Sequence, residues 1–107
     1  MAKATKLPPS IRVGYRDFKL EHWPVNEARA DQSYGQCDKG NAIIRIDASI
    51  SASETANTVL HELLHACWTH IPEEHEELTV SVLADHLTQV WRDNPELVKW
   101  LTKNIGA

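Results

Sequence analysis

Three of the six histidines, His61, His65 and His70, fall within ten residues of one another. The first two frame His61-Glu62-Leu63-Leu64-His65. On a helix, residues four apart lie only about 40° from each other, so two imidazoles at that spacing can converge on one cation. Zinc takes such nitrogens at about 2.0–2.1 Å. Glu62 stands about 100° further round, where it escapes ligation but can reach a water beside the metal. This is the H-E-x-x-H arrangement, two ligands and a general base. The match alone is a weak filter in a chain with this many His and Glu. Its position in the middle of an amphipathic helix adds weight, and the competing reading is two histidines on a solvated face.

Zinc requires a third protein ligand, which leaves one position for water. Candidates lie in Glu73-Glu74-His75-Glu76-Glu77, after a short connection through Ile71-Pro72 that returns a second helix antiparallel to the first. If the inner stripe of that helix is Val80, Leu83, Leu87 and Val90, Glu76 falls inside it and Glu77 at its edge, in line with Ser81 and Ala84. Periodicity alone therefore favours Glu76. Acidic residues at a helix start also stabilise the helix dipole without any ligand role, the plainer account of Glu73 and Glu74.

The elements that must position these groups divide the chain into strands first and helices afterwards. Ile11 to Phe18 alternates imperfectly and predicts a first strand. After Pro24, Val25 to Ala30 predicts a short helical turn. Ser33–Asp38 and Ala42–Asp47 predict a hairpin about Lys39-Gly40-Asn41. Ser51 with Glu54 forms a capping-box pattern that starts a helix running to about Thr69, where Pro72 forbids continuation. On its wheel Ala56, Leu60, Leu63, Leu64 and Cys67 share an apolar arc expected to face the core. A second helix is expected from about Glu73 to Arg92, and Asn94-Pro95 opens a third. The expected fold class is α+β: a small N-terminal antiparallel sheet, the His-bearing helix, then two further helices. Residues 1–107 form one domain in this reading, with 1–9 a loose arm.

Composition narrows the function classes. The 107 residues carry a net charge of −4, with no basic stripe of the kind that grips nucleic acid directly. No apolar stretch approaches the roughly 20 residues that span a bilayer, and the start lacks a secretory h-region. The cytoplasm is the expected compartment. Cys37 and Cys67 do not make a disulfide framework.

The segments His61-Glu-Leu-Leu-His65-Ala-Cys, Glu77-x-x-Val80-x-x-Leu83-Ala84-x-x-Leu87 and Arg92-Asp-Asn-Pro95-Glu-Leu together resemble a group of small phage-encoded HExxH proteins. More distantly they are similar to ImmA/IrrE-type and SprT-like metallopeptidases, which are gluzincin-like zincins. The likeness spans about Ile43 to Leu101, and only HExxH is sharply specific. In the ImmA/IrrE pattern the ligand glutamate precedes a helical apolar residue by six positions, which implies Glu77 before Leu83 and overrides the wheel. That pattern then has Asn where this chain has Ser81, whose hydroxyl could also orient a ligand. The resemblance implies one Zn²⁺ on His61, His65 and Glu77, Glu62 as general base, and a protein or peptide substrate. Tyr34 and His70 are the candidates for a second electrophile. An extended substrate would pair with an edge strand, either Ala42–Asp47 or Tyr34–Asp38. Trp68 could wall the site, although packing in the core is the simpler role for Trp68, Trp91 and Trp100. The competing functions are a zinc-stabilised interaction module and a metal-dependent hydrolase of a non-peptide substrate.

Overall fold

A computed structural model describes residues 4–69 and 72–106, so His70 and Ile71 lie outside the described residues. The chain is α+β, a four-stranded sheet followed by helices. The expected first strand is two: β1 (Ser10–Val13) and β2 (Arg16–Trp23). Gly14 divides them at φ 62°, a left-handed conformation that costs glycine little and other residues more. Helix α1 (Val25–Asp31) follows, then β3 (Gly35–Asp38) and β4 (Ile43–Asp47).

The strand order is β1-β2-β4-β3. β1 and β2 run antiparallel, as do β3 and β4, but β2 and β4 are parallel, with Leu20 opposite Ile44. The sheet is therefore mixed rather than antiparallel. The cause is the path after β2. α1 leads the chain to the outer edge, β3 runs back antiparallel to β2, and the turn into β4 restores the first direction, so β4 fits between β2 and β3 parallel to β2.

One face of this sheet is covered. Phe18, Leu20, Ile44 and Ile46 alternate inward and form the core with Ala66 from the next helix. On the open face Arg45 donates to Glu21 at 3.1 Å and to Gln36 at 2.7 Å. Residues 4–9, expected as a loose arm, lack regular structure but are tied down: Leu7 packs against the core, and Pro9 accepts a hydrogen bond from the Leu20 amide.

Buried Asp47 accepts from the Ser49 amide and hydroxyl at 2.8 and 2.7 Å, which shapes the turn into α2 (Ala52–Cys67). The expected capping box is present: the Glu54 amide donates to Ser51 Oγ, and the Ser51 amide donates to the Glu54 carboxylate. A 3₁₀ turn, Glu73–His75, leads into α3 (Glu76–Asp93), and α4 (Pro95–Ile105) follows Asn94. Asn57 of α2 donates to Asp85 and Thr88 of α3, whereas His65 meets Glu76 and Glu77, so the two helices run antiparallel. No helix among the described residues is long and apolar enough to cross a membrane.

Several side chains lie elsewhere than the apolar wheel implies. The buried positions of α2 are Thr55, Thr58, Leu60, Glu62 and Ala66, while Cys67 is exposed. The sheet meets α2 along the Thr58–Glu62–Ala66 line, leaving Cys67 a step outside it. Trp91 and Trp100 are 42% and 60% exposed and Trp23 is the buried tryptophan; α4, which carries Trp100, buries none of its residues.

Candidate metal centre

The inner face of α3 decides which acidic residue meets the two histidines. Val80 and Ala84 are fully buried, and Leu83 is 42% exposed. This face is rotated by about 60° from the stripe drawn through Val80, Leu83, Leu87 and Val90. Glu76 and Glu77 consequently flank it on opposite sides, and both reach α2.

They reach different atoms of the site. Glu77 places its carboxylate 3.2 Å from His61 Nε2 and 2.8 Å from His65 Nε2, and these two nitrogens are 3.2 Å apart. Ser81, one turn on, donates to the Glu77 carboxylate at 3.3 Å. Glu76 lies behind His65, with its carboxylate 2.5 Å from Nδ1. A carboxylate can only accept, so Nδ1 carries the proton. Partial burial pushes the Glu76 carboxyl up, but hydrogen bonds from His65 and Lys39 outweigh it and leave the pKa below the ordinary value. Glu76 is thus ionised, and an Nδ1–H tautomer leaves Nε2 as a lone pair.

That lone pair faces a Glu77 oxygen. Two acceptors at 2.8 Å need a proton or a cation between them. Donor atoms of a tetrahedral zinc site lie about 3.3 Å apart, close to the three spacings observed here. His61, His65 and Glu77 can together hold a metal ion, and two imidazoles with one carboxylate are a donor set suited to zinc.

Glu62 is buried beneath this trio. Desolvation pushes its carboxyl up to about 7; Glu77 adds to the rise and His65 offsets part of it. Gly35 of β3 crosses directly over it. A Cβ there would come within 2.6 Å of the Thr58 methyl group and 2.9 Å of a Glu62 oxygen. Glycine is needed for this close approach of strand and helix. Gly35→Ala is expected to destabilise the fold by roughly 1–3 kcal/mol through overpacking, read from the midpoint of chemical denaturation. An unchanged midpoint would mean that β3 does not press on α2.

A cleft of about 510 Å³ opens above the trio, lined by Gln32, Ser33, Tyr34, Gly35, Asn57 and Thr58 together with His61, Glu62, His65 and Glu77. Of the two strands considered for substrate pairing, β4 is internal and β3 is the edge. Tyr34 stands at the cleft and Trp68 does not line it. His70 lies outside the described residues. Asn57 and Thr58 were absent from the sequence-based set, although their places one turn before His61 put them on its face of the helix. Lys39 was missed too, and nothing in its local sequence links it to His65. Burial pushes the Cys37 thiol up to about 11, which suits a protonated group packed beside the core.

No family model matches this chain, and no curated protein or solved structure matches it.

Proposed function

We propose that this protein is a zinc-dependent peptidase, with His61, His65 and Glu77 holding the metal and Glu62 acting as general base. The observation that carries the reading is the meeting of His61 Nε2, His65 Nε2 and the Glu77 carboxylate around one point, directly above a buried carboxyl group.

Zinc held by such a set acidifies a water and polarises a carbonyl. The protein's own groups supply the rest. Glu62, with its affinity for protons raised by burial, accepts a proton from the attacking water and returns it to the leaving amine. The free edge of β3 offers unpaired backbone groups beside the cleft, where an extended peptide can add as a strand. Cleft and strand edge together favour a main-chain amide of an unfolded or flexible segment as substrate. The resemblance to small phage-encoded HExxH proteins points the same way.

The test is metal analysis combined with hydrolysis of unfolded casein. Wild type is expected to hold about one zinc per chain and to cleave casein until a chelator is added. His61→Ala and Glu77→Ala are expected to lose both properties. Full zinc content in Glu77→Ala would remove Glu77 from the ligand set, and a zinc-loaded wild type inert toward every unfolded substrate would end the peptidase reading.

A further inference from the structure

Lys39 lies in the turn between β3 and β4, far in sequence from the histidines. Its Nζ is 3.0 Å from the Glu76 carboxylate and also reaches the Trp68 carbonyl at 3.5 Å. The Glu76 oxygen it contacts is the one that accepts from His65 Nδ1. A continuous path therefore runs from the hairpin turn to the imidazole: ammonium, carboxylate, Nδ1–H, ring, Nε2.

The turn that carries Lys39 is braced from three directions. Arg16 of β2 donates to the Lys39 carbonyl at 2.6 Å and to the Gly40 carbonyl at 3.2 Å. Asp38 accepts from the Asn41 amide and side chain. The Ala42 carbonyl accepts from the Lys19 amide at 2.9 Å. The Lys39 backbone is thus fixed, and its side chain needs to order only its own stem. Its head joins the β3–β4 turn, the end of α2 at Trp68 and the start of α3 at Glu76.

Glu76 has a strong electrostatic need for this partner. Its side chain is 13% exposed, so little water is left to solvate the charge, and Lys39 and the His65 N–H are the groups that hold it ionised. With only the His65 N–H as donor, the Glu76 carboxylate would gain by swinging into solvent. Lys39 opposes that swing.

We propose that Lys39 is a positioning residue for the metal centre: by holding Glu76 against His65 Nδ1, it fixes the ring so that Nε2 faces His61 and Glu77. The inference rests on the metal-site reading above. Groups that orient a metal-bound imidazole commonly contribute 10- to 100-fold in metal affinity.

The experiment measures zinc affinity by competition with a chromogenic chelator, for wild type, Lys39→Met, Lys39→Arg, Glu76→Gln and Arg12→Met. The last variant removes an exposed ion pair with Asp17 and serves as control. In the zinc-loaded proteins, the imidazole N–H resonances of His65 are followed by NMR. Lys39→Met is expected to weaken zinc binding about tenfold, and Glu76→Gln by roughly 10- to 100-fold. Both should hasten solvent exchange of the His65 Nδ1 proton. Lys39→Arg should restore affinity and proton protection, which a merely structural loss would not explain. Unchanged affinity and a protected Nδ1 proton in Lys39→Met would overturn the proposal. Complete loss of zinc in Glu76→Gln with no effect of Lys39→Met would also overturn it, by making Glu76 a ligand. A wild type without zinc would instead overturn the reading of the site itself.

Discussion

Glu62→Gln is expected to keep about one zinc per chain while lowering peptide hydrolysis by roughly 10²–10⁴-fold, the range typical of a lost general acid–base. The substitution is close to isosteric, so the packing of residue 62 against Gly35 and Thr58 should persist. Glutamine can still contact a water but cannot take its proton. The loss should therefore fall on kcat, with little change in KM. The measurement is steady-state hydrolysis beside metal analysis on the same samples. This variant also separates an enzyme from a metal-stabilised interaction module. In a module residue 62 has no chemical duty, and partner binding by Glu62→Gln would match wild type. Wild-type turnover in the variant would remove Glu62 from the mechanism. Loss of zinc would mean that its contribution is structural.

The helical half of the fold was legible because its signals are local. Ser51 and Glu54 satisfy one another's backbone groups within a single turn, and Pro95 stands at the start of α4. Such features are determined by neighbouring residues and survive any tertiary arrangement. The HExxH spacing belongs to the same kind, since residues four apart on a helix are adjacent whatever covers them.

What escaped the sequence depends on partners distant in the chain. The parallel pairing of β2 with β4 follows from the path through α1 and β3, which places β3 at the edge and β4 beside β2 and which alternation in either strand cannot report. The inner face of α3 was misplaced because Leu83 looks like core and Ala84 does not, yet Ala84 is buried and Leu83 exposed. Close approach of α2 and α3 favours the small side chain. That rotation brings Glu76 and Glu77 to opposite edges of His65, one facing Nδ1 and the other Nε2. Gly35 and Lys39 are further cases. A glycine at the start of a strand and a lysine in a turn carry no local mark of the carboxylates they meet across the fold.

The proton on Glu62 also links this site to stability. The folded state pushes the carboxyl up to about 7 from an ordinary 4.5, so the native protein binds that proton more tightly than the unfolded chain does. Between these two values the native state holds more protons, and stability falls as pH rises. The contribution is fully present below about pH 4.5 and is lost as pH climbs through about 7. At 1.36 kcal/mol per unit, metal-free wild type should be destabilised at pH 8 by roughly 3 kcal/mol relative to its mildly acidic state through this group alone. Glu62→Gln cannot ionise. With chelator present, the variant should be more stable than wild type at pH 8 by about that amount, and the gap should close toward pH 5. Saturating zinc should shrink the gap at pH 8, since a nearby cation favours the carboxylate. Urea denaturation of both proteins at pH 5 and 8, with zinc and with chelator, gives the four differences. A gap that is flat with pH would mean that Glu62 lies in water rather than beneath the histidines, and the base assigned to the reaction would lose its buried setting.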